Sequence, residues 1–246
     1  MKLILVRHGE SQWNLENRFT GWEDVSLTEE GIKEAKFAAK QINKEKLIVH
    51  SIHTSILKRA IDSANIIADN IGYEKNEIIK DWHINERHYG ALQGLNKSET
   101  AEKYGEDQVH IWRRSFDIPP PLLSVDDIRH PKNVLKFKEI PILPIGESLK
   151  DVIKRLTPFW RSFKSNYLKD NLNHLIVAHS NSLRAIVMIL EKLTVEEILN
   201  LNIPTGVPIV YEIDSQLNIL SKKILLNKKE LEKRNLNIIN QGKKNE

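Results

Sequence analysis

Four consecutive apolar residues, Leu3-Ile4-Leu5-Val6, leave the chain few ways to begin folding. The run is too short for a helix and offers no polar position to water, so it reads as a β-strand buried on both faces. Such strands belong to mostly parallel sheets covered by helices. A second run, Leu175-Ile176-Val177-Ala178, lies far along the chain, and the two end alike. The first runs into Arg7-His8-Gly9, and the second runs into His179-Ser180-Asn181-Ser182 just ahead of a helical pattern.

The segments between them keep that rhythm. Thr28 opens a helix with Ile32, Ala35, Ala39 and Ile42 at helical spacing and acids in its first turn. LIVHSIHTS reads as a short strand, followed by the helix SILKRAIDSANIIADNIG with Gly72 as its stop. NSLRAIVMILEKL is a further amphipathic helix, and VPIVYEID (207–214) and LNILSKKILL read as two more strands. Strands alternating with helices predict an α/β fold, a mostly parallel sheet flanked by helices on both faces. The 246 residues are read as one domain. A long insertion without clear periodicity at 82–146, rich in charge, Trp, Tyr and Pro, is expected to form the pocket wall or a lid, and a tail from about 228 to 246 is expected to be mobile.

Composition removes several classes of function. With no cysteine there is no disulfide framework, thiolate zinc site or cysteine nucleophile. No apolar run reaches the ~18 residues of a membrane span. MKLILVRHGE lacks a full apolar core and cleavage site, so no signal peptide is expected. Thirty-seven Lys and Arg against 33 Asp and Glu give a net charge of +4, compatible with anionic ligands but too dispersed to indicate nucleic acid. The basic stretches at Lys222-Lys223 and Lys243-Lys244 read as solvated tail.

In open α/β sheets ligands bind beyond the carboxyl ends of the strands. If the two apolar strands are neighbours, His8 and His179 meet at the mouth of the sheet, beside a helix N-terminus suited to an anion. A neutral imidazole is a good nucleophile toward phosphorus. Arg7 can fork onto phosphate oxygens, and Gly9 would let the backbone approach a phosphoryl group closely. Arg59, Ser11, Asn14 and Asn181 are further candidate donors.

RHGESQWN (7–14) resembles the signature of the histidine phosphatase superfamily. FTGW, TSILKRAI, NERHYGALQGLNKSETAEKYG, WRRS and LNIPTGVP resemble, in order, the cofactor-dependent phosphoglycerate mutases, from residue 3 to about 214. The resemblance implies a glycolytic and gluconeogenic isomerase. It would interconvert 3-phosphoglycerate and 2-phosphoglycerate through a phosphohistidine, primed by 2,3-bisphosphoglycerate and needing no metal. A cytoplasmic homodimer or homotetramer without nucleic-acid or membrane partners is implied with it. His8 would carry the phosphoryl group, with His179 beside it and Arg7 and Arg59 gripping the phosphoryl oxygens. Glu86 would move the proton of the substrate hydroxyl, a role for which burial must keep a carboxyl protonatable among arginines; the alternative is that it only pairs with arginine. Arg113, Arg114, Lys97 and Tyr89 would hold the substrate's carboxylate and second phosphate. Gly9, Glu10, Ser11, Gln12, Trp13, Asn14, Thr20, Gly21, Arg87, His88, Ser180 and Asn181 complete the implied binding set. Trp13, Trp22 and Trp112 are expected to wall the pocket, and the 82–146 segment and the tail lysines Lys243 and Lys244 to exclude water.

Two departures stand against the pattern. The family has glycine where this chain has Ser180, and if that position needs φ > 0, serine costs about 1 kcal/mol. The 124–146 stretch reads as shortened, and ILLNKKELEKRNLN matches poorly. The rival readings are a phosphatase of the same superfamily, a bisphosphoglycerate synthase, and a weakened enzyme acting as a binding protein because of Ser180.

Overall fold

On β1 (Lys2–Arg7), Leu3 and Leu5 enter one core while Ile4 and Val6 enter another on the opposite face of the sheet, and all four are essentially inaccessible. The period-2 alternation of a strand thus serves two hydrophobic layers at once. The computed structural model describes residues 1–168, 171–241 and 243.

After β1 come a one-turn helix α1 (Gln12–Leu15), α2 (Glu29–Lys44), β2 (Ser51–Thr54), α3 (Lys58–Ile71) and a two-residue strand β3 (Ile79–Lys80) that the sequence pattern does not announce. The wall segment holds α4 (Lys97–Tyr104) and α5 (Glu106–Arg114). The chain continues with α6 (Leu149–Tyr167), β4 (His174–Ala178), α7 (Ser180–Glu191), α8 (Val195–Asn200), β5 (Ile209–Ile213), β6 (Ile219–Ile224) and α9 (Lys228–Asn240). Among the described residues the sheet has six strands in the order β3-β2-β4-β1-β5-β6. The β3–β2, β2–β4 and β4–β1 pairs are parallel, while β1–β5 and β5–β6 are antiparallel.

Local chemistry accounts for the helix ends. The Thr28 hydroxyl accepts the Gly31 N–H at 3.0 Å and caps α2, and Gly72 ends α3 in the left-handed region at φ 73°. The buried face of α2 is Gly31, Glu34, Ala35, Ala38, Ala39 and Ile42, so Ile32, expected inside, is exposed. Ala38, Ala39, Ile42, Ala64 and Ile67 cover one face of the sheet, and Leu156, Phe159, Phe163, Leu183 and Ile186 cover the other.

Three expectations change. The 82–146 segment is only partly irregular, since α4 and α5 lie within it; short helices with broad polar faces gave it little periodicity. Lys222 and Lys223 are exposed as expected but belong to the edge strand β6, not to a tail, and pair with Glu191 and Glu45 at 2.7 Å. Within the segment expected to be a mobile tail, Lys228–Asn240 form α9, capped by the Asn227 side chain and docked over the mouth of the sheet through Arg234, while residues 242 and 244–246 lie outside the described residues.

Candidate active site

The parallel register of β1 and β4 pairs Arg7 with Ala178, and the His8 N–H donates to the Ala178 carbonyl at 3.0 Å. The next residues on the two strands are His8 and His179, and their ring centroids lie 5.0 Å apart. A pairing across more than 160 residues of sequence thereby builds the dyad. His8 Nδ1 lies 2.7 Å from the Gly9 carbonyl oxygen, which can only accept, so Nδ1 carries the proton. The lone pair is left on Nε2, where it accepts from Arg59 Nε at 3.3 Å. Burial, followed by the charges of Arg59 and Arg7, holds the His8 pKa well below 6.5. His179 is depressed in the same way, by burial first and then by Arg59, and its Nε2 lies 2.7 Å from the Ser55 hydroxyl. Both imidazoles are therefore neutral at pH 7.

Around the dyad, one cavity is lined by Arg7, His8, Asn14, Arg18, Thr20, Gly21, Arg59, Glu86, Tyr89, Lys97, Arg113, Arg114, Ser180, Asn181, Arg184, Ile238 and Gln241. Seven of these side chains are cationic and one, Glu86, is a carboxylate. Burial lowers Lys97 well below its usual value, with Arg113 next in effect, and brings Arg59 and Arg113 each to about 10. The arginines are held in place by neutral acceptors. Arg59 donates to the carbonyls of Glu23 and Gly21 at 2.9 and 2.8 Å, Arg7 to that of Ile203 at 3.0 Å, and Arg114 to Asn202 Oδ1 at 2.7 Å. The Nε atoms of Arg7 and Arg184 are buried without a partner. So much buried positive charge against one carboxylate suits a small polyanion. Among the described residues no group of three His, Asp or Glu side chains is placed to hold a metal ion.

The cavity unites thirteen of the residues expected from sequence, with His179 buried behind His8. The others lie outside the lining and support it. Gly9 faces another part of the chain than supposed. A Cβ there would stand 2.1 Å from the Gly31 carbonyl oxygen, so glycine serves the contact between the 8–10 turn and the start of α2. The Glu10 N–H donates to Glu34, and its carboxylate accepts from Thr28. Ser11 and Gln12 begin α1, and the Ser11 hydroxyl donates to Asn14 Oδ1 at 3.0 Å. Trp13 packs beside Gly94 and Arg18. Arg87 lies over the Tyr89 ring at 4.6 Å, and His88 Nδ1 accepts the Gly90 N–H. Trp22 and Trp112 do not line the cavity either. Trp22 packs on Phe137 and donates to the Glu86 carbonyl at 2.6 Å, and Trp112 meets Tyr104.

Ser180 is the first residue of α7, and its φ is not positive. Serine is therefore unstrained there, and its side chain joins the cavity wall. Sequence reasoning missed Arg18, Arg184, Ile238 and Gln241. Arg184 stands three residues after Asn181, a helical spacing that places both on one face, and this was the available signal. Arg155 was missed as well. From α6 it pairs with Glu147 at 2.7 Å and donates to the carbonyls of Trp82, His83, Asn85 and Glu86, which fixes the turn carrying Glu86.

α9 closes one side. Arg234 reaches Glu34 Oε1 at 3.1 Å and the Thr205 carbonyl at 3.0 Å, Lys97 donates to Gln241 Oε1, and Arg113 to the Ile238 carbonyl. Lys243 lines a neighbouring cleft with Glu106 and His110, not this cavity, and Lys244 lies outside the described residues.

The family model for the histidine phosphatase superfamily (branch 1) matches residues 3–222. The chain is 50% identical to a 2,3-bisphosphoglycerate-dependent phosphoglycerate mutase of Treponema denticola over 246 residues, covering 99% of this chain and 100% of that one. A protein of the same name from Elusimicrobium minutum is 46% identical, with 99% of each chain covered. Both alignments cover nearly the whole chain, the 124–146 stretch and the C-terminal part included. In fold, the chain is similar to a mycobacterial glucosyl-3-phosphoglycerate phosphatase (TM-score 0.67, 22% identity, 91% of this chain and 96% of that one). It is similar also to a putative α-ribazole-5′-P phosphatase of Escherichia coli (TM-score 0.67, 18% identity, 92% and 96%). The chain belongs to the histidine phosphatase superfamily, branch 1, and within it to the 2,3-bisphosphoglycerate-dependent phosphoglycerate mutases.

Proposed function

We propose that this protein interconverts 3-phosphoglycerate and 2-phosphoglycerate, with His8 as the phosphoryl carrier. The observation that carries the reading is the state of His8. Its Nδ1–H is committed to the Gly9 carbonyl, and its Nε2 lone pair faces a cavity of cations that contains a single carboxylate.

In this reading Nε2 forms the bond to phosphorus as the phosphorus–oxygen bond of the donor breaks. Arg59 and Arg7 neutralise the charge gathering on the phosphoryl oxygens, and His179 flanks them. Glu86 supplies the proton to the departing oxygen. In the reverse sense it removes the proton of the accepting hydroxyl, whose oxygen then takes the phosphoryl group back from Nε2. Lys97, Arg113, Arg114 and Tyr89 hold the carboxylate and the phosphate that does not react. The cation cluster, with a buried unpartnered N–H group on Arg7, fits 2,3-bisphosphoglycerate. When bound, that cofactor supplies the phosphoryl group that loads His8. α9 and the 82–146 segment keep water from the loaded histidine. The enzyme would serve glycolysis and gluconeogenesis in the cytoplasm as a homodimer or homotetramer, the assembly being readable by sedimentation.

A phosphorus NMR time course with 3-phosphoglycerate, before and after a trace of 2,3-bisphosphoglycerate, tests the reading. Growth of 2-phosphoglycerate that quickens on priming is expected. Release of inorganic phosphate in its place would make the protein a phosphatase, and an unchanged spectrum would favour a binding protein.

A further inference from the structure

Arg184 is nearly inaccessible, at 1% exposure, yet no carboxylate pairs with it. Nη2 donates to the Ile198 carbonyl at 2.7 Å, and Nη1 lies 2.9 Å from the end of the Asn181 side chain. A guanidinium only donates, so the Asn181 atom that faces it has to be oxygen. The Asn181 amide is thereby turned in one sense, with its NH2 group toward Glu86. Nδ2 donates to Glu86 Oε1 at 3.0 Å, the Asn181 backbone N–H to the same oxygen at 3.2 Å, and the Arg87 backbone N–H at 2.7 Å. Three N–H groups therefore converge on Oε1, and Oε2 is the oxygen left free to exchange a proton.

We propose that Arg184 is a positioning residue for the proton transfer. By fixing the orientation of the Asn181 amide it commits Oε1 of Glu86 to the protein and presents Oε2 to the substrate's hydroxyl. The proposal rests on the mutase reading with Glu86 as acid and base. Without the guanidinium, the Asn181 amide can rotate and bring its oxygen against the Glu86 carboxylate, which then turns away from its working pose.

The test is a double-mutant cycle on the full-length protein with 3-phosphoglycerate as substrate. Arg184→Met is expected to lower kcat ~10- to 100-fold while KM moves less than about threefold. Arg184→Lys keeps a donor toward Asn181 and should recover most of kcat. In an Asn181→Ala background, Arg184→Met should lower kcat no further, because the group it orients is gone. Losses that multiply in the double variant, or an effect confined to KM, would mean that Arg184 binds the substrate directly and would overturn the proposal. So would equal kcat in all Arg184 variants with only a lowered Tm, the signature of a packing role. If Arg184→Met does not fold, the comparison of Arg184→Lys with Asn181→Ala decides by the same criterion. A wild-type protein that makes no 2-phosphoglycerate overturns both this proposal and the reading it stands on. An active wild type with multiplying losses overturns this proposal alone.

Discussion

The floor of the cavity and its wall are built on different principles. The floor is the carboxyl edge of β1 and β4, where hydrogen-bonded register leaves His8, His179 and Arg7 no freedom of placement. The wall is made of short helices and turns between Trp82 and Gly146, roofed by α9, and the arginines it turns to the cavity, Arg113 and Arg114, are held by a carbonyl and an amide. In the proposed reading the phosphoryl carrier sits on the sheet and the groups that must fit one particular anion sit on the wall, while Glu86, also in the wall, is held in its turn by Arg155.

That division can be broken by mutation, beginning with the largest effect. His8→Ala should lower turnover by ~10⁴-fold or more and abolish protein phosphorylation by 2,3-bisphosphoglycerate, followed by phosphorus NMR. Residual phosphorylation at another residue would put the carrier elsewhere than on the floor. Arg114→Ala in the wall should raise KM for 3-phosphoglycerate ~10- to 100-fold with kcat little altered, the loss of one charged hydrogen-bonding pair. Steady-state kinetics would contradict the division if kcat fell instead.

Acid should load the two regions alike. Burial holds His53, on β2 against the aromatic face of α6, at about 4 and His88, in the wall, at about 3, with His174 and His130 the next contributors respectively. The unfolded chain takes up protons below 6.5 while these folded histidines do not. Stability is therefore complete above pH 6.5 and falls as pH drops toward 4, by up to about 1.4 kcal/mol per pH unit for each histidine. Urea unfolding at pH 7.5, 6.5 and 5.5 should show this, and His53→Gln and His88→Gln should each flatten the slope. The smallest effect is expected at the roof. Arg234→Gln removes the contact with Glu34 and should raise the ratio of hydrolysis to transfer ~3- to 10-fold. An unchanged phosphate yield would show that α9 does not exclude water.

The floor was legible in the sequence because a strand declares itself in four residues and the histidine proposed as the phosphoryl carrier follows it directly. Glu86, Arg113 and Arg114 could be carried over from the resemblance of NERHYG and WRRS, though the helix bearing the arginines gave no clear periodic signal. The supports were not legible. Arg155, in the middle of an amphipathic helix, looks like any solvated arginine until its reach to four carbonyls is seen. Glu34 belongs to a first helical stripe that seemed to be alanine and isoleucine, and only the fold brings Thr205 and Arg234 to it. Gly9 was assigned to the ligand because its neighbours touch it, whereas the space it vacates is taken by Gly31. Ser180 was weighed as a lesion on the assumption of a left-handed backbone, which a helix start does not need.

The order of the strands also sets when activity can arise. β1 is synthesised well before the strands it pairs with, for it is a central strand whose neighbours are β4 (His174–Ala178) and β5 (Ile209–Ile213). Contacts across such distances form late and slowly. A nascent chain shorter than residue 179 has His8 without its companion, and one shorter than 209 leaves a flank of β1 uncovered. A chain that stops short of β4 thus lacks half of the histidine pair, whereas one that stops short of α9 has the floor complete and the roof missing.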